Sequence, residues 1–198
     1  VNIDKTQPLE YSTEQGRLNI LGFWIFIGAE VMLFATLFAS YFTLVDRTGN
    51  GPSGSEIFEI TPVLIETLVL LTSSFTIGLG VHAMRIGNKK AMMSFFAITL
   101  VLGAAFLGVE IYEFVHYVHV GAGLQVSAFT SILLTTLGTH GLHVTFGLFW
   151  GIMILMQVKK RGLTPQTANK SFIFSLYWHF LDVVWIFIFS FVYLKGMM

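Results

Sequence analysis

The chain has 198 residues, of which 55% are hydrophobic, 15% aromatic and 11% charged, with 11 Lys and Arg balanced by 11 Asp and Glu. A soluble domain carries about 25% charged residues, so this balance excludes an ordinary soluble enzyme or nucleic-acid binder and indicates an integral membrane protein. The absence of cysteine excludes disulfides, thiolate metal sites and cysteine nucleophiles.

A polar leader, Val1–Arg17, precedes the first apolar block, Leu18–Val45. That block is too long for a signal peptide and lacks a small-residue cleavage pattern, so it is expected to stay as a span. The loop Asp46–Glu56 is dense in turn residues. The second block, Thr61–Ile86, opens on Pro62, which suits a helix start. Gly87–Lys90 forms a short basic turn before the third block, Ala91–Val118, and the glycines of Gly121–Gln125 end it. The fourth block, Ser127–Val158, closes on Lys159, Lys160 and Arg161. A polar loop through Pro165 leads to the fifth, Ser171–Lys195, whose core runs from Phe172 to Tyr193. Each block is near or above the roughly 20 residues a bilayer requires. The fold class is therefore all-α, a bundle of five transmembrane helices preceded by a short tail.

Five spans put the N-terminus and the second and fourth loops on one side. Nine of the 11 basic residues fall there: Lys5, Arg17, Arg85, Lys89, Lys90, Lys159, Lys160, Arg161 and Lys170; Arg47 and Lys195 fall on the other. The positive-inside rule then makes the N-terminus cytoplasmic and the C-terminus external.

Ionisable residues inside the spans mark functional-site hypotheses. Helical rise places Glu30, His140, His143, His179 and Asp182 near mid-membrane, and Glu66, Glu110, Glu113, His116 and His119 toward the outer end. His179 and Asp182 are one turn apart, so the histidine is the expected partner of the carboxylate. Glu30 has two readings, a proton-handling carboxylate or a hydrogen-bonded strut between helices. His140 and His143, in GTHGLHVTFG, are either haem or metal ligands, with His179 as a partner, or part of a polar packing seam. Gly147 and Gly151 form a close-approach motif on the same helix. Glu66, Glu110, Glu113 and His116 are read as contacts with solvent or lipid headgroups, with acid–base work by the Glu110–Glu113 pair as the other reading. Thr72, Ser73, Ser74 and Thr76 are expected to bond to backbone or neighbouring helices. Trp24, Trp178 and Trp185 lie too deep for an interfacial belt and are expected inside the bundle.

Four stretches carry a resemblance: Phe26–Phe34 (FIGAEVMLF), Leu71–Thr76 (LTSSFT), Gly138–Gly147 (GTHGLHVTFG) and Tyr177–Trp185 (YWHFLDVVW). In their order and spacing they resemble subunit III of the haem–copper terminal oxidases. The family's membrane carboxylate falls on Glu30, its histidine pair on His140 and His143, and its final pair on His179 and Asp182. The sequence Glu110-Ile-Tyr-Glu113-Phe, the run Arg161–Thr164 and the lack of two extra leading helices look like the bacterial quinol oxidases. The resemblance implies a multi-pass subunit of the bacterial plasma membrane with no catalytic residue, metal or cofactor of its own. Haems and copper are expected in subunit I, and subunits I, II and a small subunit IV are the expected partners. It implies phospholipid in a cleft between helix groups, and support of subunit I stability, proton uptake and oxygen access; no nucleic acid is involved. A haem-bearing membrane cytochrome, a cytochrome c oxidase subunit and a stand-alone proton-coupled transporter are the competing readings. The transporter ranks last because no internal repeat divides the chain.

Overall fold

The structure, a computed structural model, describes residues 6–49 and 51–197. Lys5, counted above with the inner-face charges, lies outside the described residues. The elements are a 3-10 turn at Leu9–Tyr11, α1 (Glu14–Leu44), a short α2 (Gly54–Ile57), α3 (Ile60–Arg85), α4 (Lys89–His119), α5 (Ala128–Arg161) and α6 (Pro165–Ile188). The helical path of α6 continues through a π-helical turn at Phe189–Leu194. Five of these helices are long and apolar enough to cross a membrane.

Helix ends follow local chemistry. The Thr13 hydroxyl accepts from Gly16 N–H at the start of α1, and the Asn88 side chain accepts from Ala91 N–H at the start of α4. Ser127 and Thr164 open α5 and α6, each paired with a threonine three residues on. Pro165 then occupies the first turn of α6, where its missing N–H costs nothing. As a result α6 begins ahead of the apolar run, within the stretch expected as loop. At the other end of α5, Gly162 adopts a φ of 75°, a conformation costly for any residue with a Cβ, and this turns the chain back.

The pair α3 and α4 packs against α5 and α6, while α1 lies along α5 and α6. Among the spans α6 is the most enclosed and α1 the least. Trp178 and Trp185 are fully buried as expected, but Trp24 is 55% exposed. It sits on the outward face of α1 with Leu21, Ile25 and Met32. Only one side of this peripheral helix meets the bundle, so depth in the membrane does not place a tryptophan inside the protein.

The leader is not wholly a tail. Leu9–Tyr11 packs on α6, and Arg85 closes a 2.8 Å ion pair on Glu10, which is fully buried. Asn169 donates to the backbone carbonyls of Glu10 and Gly16 and holds this turn in place.

The glycines of α5 act as notches for rings. A Cβ at Gly147 would stand 3.1 Å from Tyr177 Cε1, and one at Gly151 would stand 2.8 Å from Phe174 Cζ and 2.6 Å from Leu100 Cδ2. The close approach expected of this motif is therefore made to aromatic side chains of α6 and, at Gly151, to Leu100 of α4.

Candidate functional site

The polar groups expected at mid-membrane divide between two environments. The first is the seam between α1, α5 and α6. His143 Nε2 lies 3.0 Å from Glu30 Oε2, and His143 Nδ1 lies 2.7 Å from the Thr139 carbonyl. A carbonyl only accepts, so Nδ1 carries hydrogen. The contact with Glu30 then holds one proton in either form: on Nε2 facing a carboxylate, or on Glu30 facing a bare nitrogen. The pair is neutral in both forms, which suits its depth. Tyr177 donates to the His143 backbone carbonyl at 2.9 Å, and Phe34 packs on the imidazole. Glu30 therefore ties α1 to α5.

His179 and Asp182 do not pair. His179 Nδ1 meets the Ser74 hydroxyl of α3 at 2.6 Å. Asp182 is buried; Ser74 lies close to it without completing a well-formed hydrogen bond. Side-chain direction at the crossing of α3 and α6 prevails over sequence spacing here. The neighbouring bonds join the same helices: Trp178 Nε1 donates to Ser73 Oγ at 2.9 Å and Trp185 Nε1 to Thr67 Oγ1 at 3.0 Å. Thr76 meets Thr99 of α4 at 2.8 Å, while Thr72 bonds back to the Leu68 carbonyl, both as expected for hydroxyls in spans.

The second environment is the interior between α3, α4, α5 and α6. His140 is fully buried between Phe106 and Trp185, with Nε2 3.3 Å from the Leu181 carbonyl. Its Nδ1 lies 3.9 Å from Glu110 Oε1. His140 thus faces α4 while His143 faces α1. Among the described residues no group of three His, Asp or Glu is placed to hold a metal ion.

Glu66, Glu110 and Glu113, expected at the outer interface, have exposures of 0%, 3% and 5% within the chain, and Glu110 and Glu113 each line a groove or pocket that reaches the surface. His116 is part-exposed and lines a small pocket with Glu59, Pro62, Tyr112 and Glu113. Glu113 Oε2 accepts from Tyr193 at 2.9 Å and from Tyr117 at 3.1 Å. Tyr117 and Tyr193 were not singled out by the sequence, whereas Ser74 was expected to bond to backbone or a neighbouring helix and meets His179 of α6. Their signal was present, since Glu66, Leu70, Ser73 and Ile77 on α3, and Phe106, Glu110, Glu113 and Tyr117 on α4, recur at the three- and four-residue spacing of one buried face.

The model of the family described as "Cytochrome c oxidase subunit III" matches residues 11–197. The chain belongs to this family. It is 62% identical over 190 residues to "Quinol oxidase subunit 3" of Bacillus spizizenii, covering 96% of this chain and 93% of that protein. It is 49% identical over 190 residues to "Cytochrome c oxidase subunit 3" of Bacillus sp. (strain PS3), covering 96% and 92%. It is also 49% identical over 194 residues to "Probable quinol oxidase subunit 3" of Staphylococcus aureus (strain USA300), covering 97% and 96%. Membership in the subunit III family agrees with the resemblance carried by the four motifs. With five apolar spans and bacterial relatives of this kind, the chain is a multi-pass protein of the bacterial plasma membrane.

Proposed function

We propose that this chain is the non-redox third subunit of a haem–copper quinol oxidase, assembled with subunits I and II and a small subunit IV. One observation carries the choice of electron donor. At equal coverage the chain is 62% identical to a quinol oxidase subunit 3 and 49% identical to a cytochrome c oxidase subunit 3. The motif Glu110-Ile-Tyr-Glu113-Phe supports the same choice. The geometry supports a scaffold rather than a reaction centre. Glu30, His143, His179 and the buried tryptophans are tied helix to helix within the chain. The outward apolar face of α1 and the groove it forms with α6 along Phe34, Phe38, Phe180 and Phe187 offer surface for subunit I and for acyl chains. A larger groove of about 500 Å³ between α4 and α5 offers a second place for lipid.

Affinity purification through a tag on this chain is expected to bring down a haem-bearing, quinol-oxidising complex. In that complex Glu30→Gln is expected to leave the initial rate near wild type, because Gln can still donate to His143 Nε2 and the redox centres lie elsewhere. Glu30→Ala strands the imidazole at about 1–3 kcal/mol and is expected to shorten sustained turnover. An immediate collapse of the initial rate in an intact Gln variant would make Glu30 an obligatory proton carrier and overturn the scaffold reading.

The proposed orientation is N-terminus inside, from the nine-to-two distribution of Lys and Arg. Reporter tags at the two ends are expected to be reached from opposite sides of the membrane. Two tags on the same side contradict it.

A further inference from the structure

The enclosed carboxylates near the outer end of the bundle have a chemistry that the scaffold role does not use. Glu66 is fully buried, and neither of its oxygens has a hydrogen-bond partner. Glu110 and Glu113, on the neighbouring helix α4, are near enough for their charges to act on it. Both oxygens of Glu110 also lack a hydrogen-bond partner. Glu113 is held by the two tyrosine hydroxyls, which themselves adjoin one another.

We propose that Glu66, Glu110 and Glu113 form a proton-binding site that exchanges with the aqueous phase at the face bearing Glu59 and Lys195. Burial forces the choice of ligand. An isolated carboxylate in a low-dielectric interior is costly, and adjacent carboxylates repel one another strongly there. The groups facing the site are Glu59 ahead of α3; Glu66 on α3; Glu110, Glu113, His116 and Tyr117 on α4; His140 on α5; and Tyr193 beyond α6. None of these is Lys or Arg, and the Lys195 ammonium is instead placed over the Phe42 ring, 5.0 Å from its centroid. Two histidines there can become cations: His116, at the small pocket beside Glu113, makes no ion pair with the cluster, and His140 Nδ1 is 3.9 Å from Glu110, beyond a good hydrogen bond. The species that neutralises such a cluster is the proton.

The route in is also present. Glu113 is shared between the buried cluster and the small pocket lined by Glu59, His116 and Tyr112. Glu59 and Tyr112 are exposed, so this pocket meets the surface. A hydronium ion in the pocket transfers its proton to the Glu113 carboxylate, leaving water and a carboxylic acid. That acid passes a proton inward, directly or through the Tyr117 and Tyr193 hydroxyls, to Glu66 and Glu110. Each transfer moves one proton between oxygens, and no electron changes hands. On the far side, His140 donates Nε2–H to the Leu181 carbonyl, and Phe106 and Trp185 pack on the ring. The site thus opens toward the Glu59 face, ends at an aromatic wall beyond His140, and is flanked at Glu110 by the apolar groove between α4 and α5.

The inference concerns proton binding alone and is tested without measuring quinol oxidation, so its failure is separate from failure of the oxidase assignment. The intact complex, reconstituted in vesicles of defined orientation, is followed by infrared difference spectroscopy in the carboxylic-acid C=O region while pH is stepped on one face at a time. The expected result is a band, shifted in D2O, that responds to pH at the Glu59 face and not at the opposite face. Glu66→Gln is expected to remove part of that band, and Tyr193→Phe to slow its response. The proposal is overturned by a band that follows only the opposite face, or by no carboxylic-acid band at all. It is also overturned by a band unchanged in Glu66→Gln, or by one abolished at constant pH by added sodium or calcium chloride, which would make the ligand a metal cation. The wild-type pH steps stand by themselves if Glu66→Gln fails to assemble.

Discussion

Gly151→Leu is expected to prevent stable assembly of the subunit, with a far larger effect than Leu148→Ala on the same helix. At Gly151 the first added carbon already meets Leu100 of α4 at 2.6 Å and Phe174 of α6 at 2.8 Å. Both neighbours are themselves buried or nearly so, and Phe174 is packed between Phe96, Trp150 and Trp178. The rings around Phe174 leave it little room to give way. Overpacking of a filled core costs about 1–3 kcal/mol and sometimes more, and a leucine adds three further carbons beyond the Cβ that already collides. Leu148 is only partly buried, so trimming it leaves a small void that neighbours can fill. The measurement is recovery of the subunit with the purified complex, together with its thermal midpoint. Equal recovery of the two variants would show that the α5 notch does not set the helix spacing.

The second large effect is expected at the C-terminal end of α3. Arg85→Met leaves the Glu10 carboxylate inside the protein without its cation. Arg85 reaches Glu10 Oε1 from two nitrogens, each at 2.8 Å, and its guanidinium lies over the Phe172 ring. Removing one partner of a buried pair costs about 3–5 kcal/mol. The lower end applies here, because the Arg85 side chain is 46% exposed while Glu10 is fully enclosed. Glu10→Gln should cost less, since it removes the charge that needed compensation. The double variant Glu10→Gln/Arg85→Met should be more stable than Arg85→Met alone. Limited proteolysis ahead of α1 reads the result: rapid cleavage in Arg85→Met and slower cleavage in the double variant. Identical cleavage of the two would mean that the ion pair does not hold the leader down.

These effects sit where the sequence speaks least. The five spans were legible because each is a long apolar run bounded by turn residues or charge, and a bilayer imposes that length. Ser127 was legible as the polar residue opening the fourth block, but Thr164 was not, because the cap of α6 lies within a polar stretch that read as loop. Partnerships between helices were not. Nothing in the spacing of Glu30 and His143 states that α1 will lie along α5, since the two are 113 positions apart. The proximity of His179 and Asp182 in sequence suggested a pair, yet the ring turns to Ser74 on another helix. The place of Glu66, Glu110 and Glu113 along their helices was legible, but that place does not reveal which way a side chain faces. The buried face emerges only when the glutamates are read together with the aromatic and small residues at three- and four-residue intervals beside them. Trp24 shows the converse, an aromatic at bundle depth on a helix whose outer side meets no other part of the chain.

The π-helical turn at Phe189–Leu194 gives chain length near the C-terminus a structural meaning. Residues eight apart on a regular α-helix diverge by about 80° around the axis. Trp185 and Tyr193 are eight apart, yet their rings are 6.0 Å from each other and both face inward. One extra residue in a wide turn makes eight positions behave as seven, which brings the divergence down to about 20°. The turn therefore works as a phase corrector. It lets a single helical path carry Trp185 to Thr67 and, two turns later, Tyr193 to Glu113. Side-chain identity can drift along this stretch more readily than residue number can, because losing one position rotates everything beyond it off the shared face.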